Sequence, residues 1–408
     1  MRRTLSAIIL MLGISLGISN PARGQSEMQI AQPQVMYTFG ESLTIETEIT
    51  SELPIQDVKI LLQPAAGIRQ IAGEATLTAP GLVSYTLDLS NNFLGLFADV
   101  TYEFQVTLES GETLTSPEYS FYFEDNRWEW QSLKSDEFEI YWYKGNTDFG
   151  EKILNTAHDG LERIRLQVDV PAPEALRYYV YASSQELQSA LQLSGEAGSQ
   201  IAGHADPALN KVMVSLAPGP AETLEMKRQV PHELLHVLLY QKLGVGYARL
   251  PRWLNEGLAS TAELFPNPDY PLLLDKAYER QALLPFASLC QSFPVDAANF
   301  QLAYAQASSI TWYLQGRFGT SGTEALLAAY ADGLDCEHGA ETALGQGLSA
   351  LELDWRSITF HENPWLTSLR GVLPWLLIFT LFLLPWMILN IVDAIKRRKS
   401  VQENPASV

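Results

Sequence analysis

The chain turns on two short stretches, His232-Glu233-Leu234-Leu235-His236 and Trp253-Leu254-Asn255-Glu256-Gly257-Leu258-Ala259. In a helix, residues four apart lie one above the other on one face, so His232 and His236 can address a single metal ion. Glu233 stands one position past the first histidine, within reach of a water activated by that metal. Glu256 follows His236 by twenty positions, inside a pattern that reads as a second helix. Two imidazoles and a carboxylate fill three tetrahedral positions around one zinc ion and leave the fourth open, as hydrolysis requires. The competing reading is a helix with two solvated or core-capping histidines, and the downstream N-E-G-L-A stretch weighs against it.

The rest of the 408 residues bounds what such a site can serve. With 47% hydrophobic and 18% charged residues the chain is globular material, long enough for two or three domains. Between Gly24 and Arg370 stand 20 basic and 45 acidic residues, a surface that repels nucleic acid. Residues 1–24 read as a secretory signal: Arg2 and Arg3, an apolar run from Leu5 to Ile18, then Ala22-Arg23-Gly24 before a cleavage point at Gln25. Residues 372–392 are apolar enough to span a bilayer, with Trp365, Trp375 and Trp386 suited to its interfaces. Lys396-Arg397-Arg398-Lys399 follow, which places the tail 393–408 in the cytoplasm and nearly everything else outside. Cys290 and Cys336 fall in the exported part, where a disulfide between them would persist; two free buried thiols are the alternative.

Along the chain, residues 30–125 alternate with period two. Val100, Tyr102, Phe104, Val106 and Leu108 share one strand face, and turns recur at Phe39-Gly40, Asn91-Asn92 and Ser110-Gly111. This predicts an antiparallel β-sandwich, similar to immunoglobulin or fibronectin type III modules in architecture only. Asp125–Ser135 reads as a linker. From 128 to 362 the pattern predicts an α+β domain: strand Phe138–Tyr143, helix Asp148–Gln167, strand Arg177–Tyr181, a short helix capped by Ser183 or Ser184, and strand Lys211–Leu216. That last strand is the expected edge on which an extended peptide could pair. The helix bearing the histidines spans Glu222–Leu243 or begins afresh near Pro231, because proline breaks the helical ladder. A second helix runs from Arg252 to about Leu264, prolines 266, 268 and 271 interrupt the chain, and the pattern is helical again from Asn299.

Each candidate has a role the chemistry suggests. Glu233 is placed as general base, taking a proton from the attacking water and passing it to the leaving amine. Glu263, seven residues beyond Glu256, would share its helix face and accept from a ligand imidazole. Asn255 would brace that helix. Tyr304 is the candidate donor to the oxyanion, with Tyr313 and Tyr247 as rivals, although tyrosines in such positions are also ordinary core residues. His204 could contact substrate or be a plain loop histidine.

The two motifs together resemble the gluzincin clan of metallopeptidases. With the Phe138–Tyr143 strand and Tyr304-Ala305-Gln306-Ala307-Ser308 the resemblance is closer to the peptidase-MA-like domains of bacterial exported proteins. It implies one zinc ion on His232, His236 and Glu256, with Glu233 catalytic, and peptide or protein substrates. Glu263 also falls where aminopeptidase-N-like members carry a Glu. Lys211-Val212-Met213-Val214-Ser215-Leu216 stands where those members have G-x-M-E-N, so an endopeptidase is expected rather than an aminopeptidase. Ser260 stands where thermolysin-like members have an Asp. The reading is a membrane-anchored, extracytoplasmic zinc metallopeptidase; its rival is a zincin-fold binding or adhesion ectodomain with little turnover.

Overall fold

The structure, a computed structural model, describes residues 28–65, 67–78, 81–195, 203–362 and 364–402. The expected signal at 1–24 lies outside them, as does the side chain of Trp365. Two compact units result, Met1–Arg127 with Leu193–Glu196, and Trp128–Gln192 with Ala197–Val408.

The first unit is antiparallel throughout. Its strands are β1 (Met28–Ile30), β2 (Gln34–Thr38), β3 (Ser42–Ser51), β4 (Ile55–Gln63), β5 (Ile71–Thr78), β6 (Leu82–Asp88), β7 (Ala98–Leu108), β8 (Thr113–Thr115) and β9 (Tyr119–Phe123). They pair in the order β1-β3-β6-β5-β4-β7-β8, with β2 on β3 and β9 on β7. β5 changes partner along its length: Ile71–Ala75 pair with β4 and Thr76–Thr78 with β6. Period-two burial follows the alternation of the sequence, with Leu43, Ile45 and Ile49 of β3 buried, and Val100, Phe104 and Val106 of β7 likewise. Gly73 leaves room for Tyr85, whose ring would lie 2.2 Å from any Cβ there.

The second unit begins with β10 (Gln131–Lys134), β11 (Phe138–Trp142), α1 (Thr147–Arg165), β12 (Leu176–Tyr181), α2 (Ser184–Leu193), β13 (Gly203–Asp206) and β14 (Lys211–Ser215). It continues with α3 (Glu222–Leu243), α4 (Arg252–Ala262), α5 (Tyr270–Glu279), α6 (Ala297–Ala331), α7 (Cys336–Leu344), α8 (Leu348–Thr359) and α9 (Pro364–Gln402). The sheet runs β10-β11-β12-β14-β13, with β11, β12 and β14 parallel.

Two expectations fail at the margins of this sheet. Residues 131–134 are not linker but a strand antiparallel to β11, steadied by Trp130, whose ring packs edge-on against Tyr143, Tyr179 and Tyr181. The Lys211–Leu216 segment is not an edge. A 3-10 turn at Pro207–Leu209, closed by Asn210 in the left-handed region (φ 51), folds β13 back onto β14, so Gly203–Asp206 forms the margin.

α3 is also not what its proline suggests. It is one helix, with Pro231 buried inside it and its ring against Gly160 of α1, where a Cβ would come within 3.0 Å. α5 was hidden by the prolines around it, because Pro271 occupies the first turn, where no N–H is needed. α6 changes direction at Gly319 (φ 65, ψ −168). Cys290 and Cys336 are disulfide-bonded. Within α9, Leu373–Lys396 is long and apolar enough to cross a membrane, with a mean hydropathy of 2.2.

Candidate metal centre

The site is built where α3 and α4 meet. α4 carries apolar Trp253, Leu254 and Leu258 into the core, and Gly257 lets it approach α6 at backbone distance. A Cβ at 257 would lie 2.1 Å from Thr311 Oγ1 and 2.6 Å from the Ala307 carbonyl. The glycine of N-E-G-L-A is therefore a packing requirement, and it fixes how far Glu256 projects toward α3.

His232, His236 and Glu256 each offer a ligand atom, and these atoms all lie within 4.8 Å of one another. His232 Nε2 is 3.4 Å and His236 Nε2 is 3.8 Å from Glu256 Oε2. Ligands about 2.0–2.2 Å from a tetrahedral zinc stand roughly 3.3–3.6 Å apart, so the donor set fits such an ion. The outward nitrogens are already engaged. His232 Nδ1 is 3.2 Å from Glu263 Oε1, and His236 Nδ1 is 3.1 Å from Asn255 Oδ1. Both oxygens can only accept, so each Nδ1 carries a proton and Nε2 is the atom each imidazole turns to the centre. Asn255 is oriented by donating to the Tyr247 hydroxyl at 3.1 Å.

Glu256 divides its carboxylate. Oε2 faces the histidines, and Oε1 is 3.0 Å from Nη2 of Arg252, one turn earlier on α4. Burial works to raise the Glu256 pKa, but His236, His232 and Arg252 outweigh it and hold the carboxyl near about 2. Burial likewise works against a charged His232, yet its bonds to Glu256 and Glu263 lift it to about 10. His236 goes the other way, lowered by burial despite the nearby Glu256. The carboxylates around His232 thus favour positive charge beside it.

Glu233, 8% exposed, lines a cleft of about 200 Å3 together with His232, Glu263, Tyr304, Tyr270 and Gly203. Gly203 of β13 is a close approach: a Cβ there would lie 2.4 Å from Glu233 Oε1. The margin of the sheet and the candidate base therefore touch. The Tyr304 ring lies 6.4 Å from that of His232 and is wedged by Phe293 and Phe300. Burial, then the Glu256 charge, pushes its phenol up, so it stays a proton donor at neutral pH.

Not every candidate is brought here. Tyr313 accepts from Arg317 Nη1 at 3.2 Å and lines no part of the cleft. Tyr247 lies behind His236 rather than in front of it, its hydroxyl 3.4 Å from Nδ1. His204 sits opposite Met213 in the β13–β14 register, and it is its neighbour Gly203 that borders the cleft. Glu263 reaches His232, but not from the face of α4: the helix ends at Ala262, and Glu263 has φ −55 and ψ 132. Sequence reading passed over Arg252, although its spacing of four before Glu256 is a helical ion-pair signal. It also passed over Arg228, whose Nε is 3.8 Å from Glu263 Oε2 and which no motif marks.

A family model described as the Peptidase MA superfamily matches residues 156–361, just over half of the chain. Comparison with curated proteins returns no match. Among solved structures, a polysaccharide deacetylase from Bacillus cereus is 13% identical over 50% of this chain and 66% of its own, with a TM-score of 0.20. A family 56 carbohydrate-binding module that binds β-1,3-glucan is 13% identical over 23% of this chain and 98% of its own, at 0.17. A catalytically inactive protein from Akkermansia muciniphila, solved with an O-glycopeptide substrate, is 9% identical over 24% and 29%, at 0.19. These overlaps are too slight to establish a shared fold.

Proposed function

Because the chain belongs to the peptidase MA superfamily, we propose that it is a membrane-anchored, extracytoplasmic zinc metallopeptidase acting as an endopeptidase. The observation that carries this reading is the convergence of two Nε2 atoms and one carboxylate oxygen, with both Nδ1 atoms already engaged. His232, His236 and Glu256 would hold one zinc ion, which when bound polarises the scissile carbonyl and acidifies the attacking water.

The remaining steps belong to the chain's own side chains. Glu233 accepts a proton from the attacking water and returns it to the departing amine. Its contact with the Gly203 backbone keeps the carboxylate at the cleft wall beside the sheet margin, where an extended peptide can pair with β13. Tyr304 donates to the oxygen that gains negative charge. Arg252 holds Oε1 of Glu256, leaving Oε2 as the single ligating oxygen.

The endopeptidase reading rests on Lys211–Leu216, which carries no G-x-M-E-N amine-binding motif and whose side chains lie in an interior strand. The apolar Leu373–Lys396 helix followed by Arg397-Arg398-Lys399 supports a single span with a cytoplasmic tail. The first unit, taken as an immunoglobulin-like or fibronectin III-like sandwich, would serve as spacer or recognition module.

The test is zinc stoichiometry and cleavage of an unstructured protein by the full chain in detergent, compared with Glu233→Gln. Near-stoichiometric zinc and a roughly 10²–10⁴-fold lower rate in the variant are expected. Full zinc with cleavage that Glu233→Gln leaves intact, or no cleavage of any peptide pool, would sink the peptidase reading and favour a zincin-fold binding module.

A further inference from the structure

We propose that Pro231 is a positioning residue for His232, acting through a backbone anchor on the far side of the site. The inference rests on His232 being a zinc ligand, as read above. Residue 231 of an uninterrupted α-helix would donate its N–H to the carbonyl of Lys227. Proline has no such hydrogen, and its ring pushes that carbonyl outward. The freed Lys227 carbonyl is not orphaned, for it accepts from the backbone N–H of Leu264 at 2.8 Å. Here the helix defect supplies the acceptor for the chain just beyond α4.

That segment is the one that carries Glu263. α4 has stopped at Ala262, so no helical ladder fixes residue 263. The side chain does little to fix itself. Oε1 meets His232 Nδ1 at 3.2 Å, Oε2 makes no hydrogen bond among the described residues, and the Arg228 ion pair is long at 3.8 Å. The bond one residue later, from Leu264 to Lys227, is what ties Glu263 to the same helix that carries His232. The defect at 231 and the acceptor for His232 Nδ1 are thus two halves of one device: removing an intrahelical bond creates one from α3 to the chain that carries Glu263.

A packing role competes with this, since the Pro231 ring also touches Gly160. A double-mutant cycle in the full chain separates them. Zinc affinity is read by chelator competition, and Leu264 amide exchange by mass spectrometry or NMR. Pro231→Ala restores an N–H that competes for the Lys227 carbonyl. It should speed exchange at Leu264 and weaken zinc binding about 3–10-fold, a fraction of the 10–100-fold that loss of a ligand's partner costs. In a Glu263→Ala background the same substitution should leave zinc affinity within about twofold, because nothing remains to position. Unchanged Leu264 protection and zinc affinity in Pro231→Ala would overturn the proposal. So would an equal loss in both backgrounds, which would assign the proline to packing alone. A parent chain that takes up no zinc would overturn the metallopeptidase reading, and this inference with it, before any variant is compared.

Discussion

The two ends of α4 serve the two histidines by different means. At the N-terminal end everything that faces the site stands on the helix itself. Arg252 and Glu256 are one turn apart and ion-paired, and Asn255 beside them meets His236 Nδ1. That end is seated by the Cys290 carbonyl, which accepts the Arg252 N–H at 2.9 Å, and Cys290 is bonded to Cys336. At the C-terminal end the helix is over before its contribution begins. Glu263 reaches His232 from an extended residue, and a backbone bond from the next residue, Leu264, to Lys227 ties that stretch down. One imidazole is oriented by helical spacing and a neutral amide, the other by a departure from the helix and a charge.

The largest expected effect breaks the first of these ends. Replacing Cys290 and Cys336 together by serine opens a link across 46 positions, worth up to about 4 kcal/mol by chain entropy. The melting temperature should fall well below that of the parent under oxidising conditions. The parent treated with reductant should fall with it. A double variant that melts with the parent would show that the N-terminal seat does not depend on the disulfide.

Gly257→Ala comes next and should disturb both ends at once. The added methyl meets Thr311 and the Ala307 carbonyl, so α4 must back away from α6, at a cost of about 1–3 kcal/mol. Thermal unfolding reads the cost, and zinc affinity should drop in the same variant because Glu256 moves with the helix. Lost stability with intact zinc affinity would mean that the ligand's position is set elsewhere.

These differences also decide what was legible beforehand. H-E-x-x-H and N-E-G-L-A could be read because regular helices convert spacing into position: His232 over His236, Glu256 and Asn255 on one turn. Strand alternation in 98–108 was readable for the same reason. Irregular backbone was not. The β13 reversal depends on Asn210 adopting φ 51, a property of one residue that no periodicity carries. α3 continues through Pro231, and Leu264, 33 positions beyond the proline, takes the Lys227 carbonyl, whereas local propensity left both a through-helix and a fresh start open. Glu263 was named for a reason the structure replaces: its partner is His232, but its path there leaves the helix. Arg252 was readable from its spacing of four before Glu256 on the same helix.

Asn255→Ala and Glu263→Ala sharpen the contrast directly. Each removes the acceptor of one ligand imidazole and should weaken zinc about 10–100-fold, measured by chelator competition. Their salt dependence should differ. The Glu263 contribution is electrostatic and buried beside Arg228, whereas that of Asn255 is a neutral hydrogen bond braced by Tyr247. Raising ionic strength should therefore narrow the gap between parent and Glu263→Ala more than that between parent and Asn255→Ala. Equal responses would erase the distinction between the two ends.

The smallest effect, and the most specific, is a proton count. Without the metal, burial opposes charge on His232, but Glu256 and Glu263 lift it to about 10, whereas burial keeps His236 below its ordinary value. At pH 8, then, His232 holds a second ring proton, at Nε2, and His236 does not. A ligating imidazole must be free of that proton at Nε2, so zinc uptake at pH 8 should release about one proton, all of it from the end of the site served by Glu263. Because the folded pKa is raised, the cost of losing the proton is present below pH 10 and fades as the pH approaches it. Apparent zinc affinity should therefore climb by up to about tenfold per pH unit between pH 7 and 9. Glu263→Gln removes one of the carboxylates that hold the proton, so its release at pH 8 should shrink and its affinity profile flatten, while Asn255→Ala should leave both nearly as in the parent. Calorimetry in two buffers of different ionisation enthalpy counts the protons. An equal count in the parent and in Glu263→Gln would mean that Glu256 and Glu233 suffice to hold the charge on His232, and the two ends of α4 would then differ in geometry but not in electrostatics.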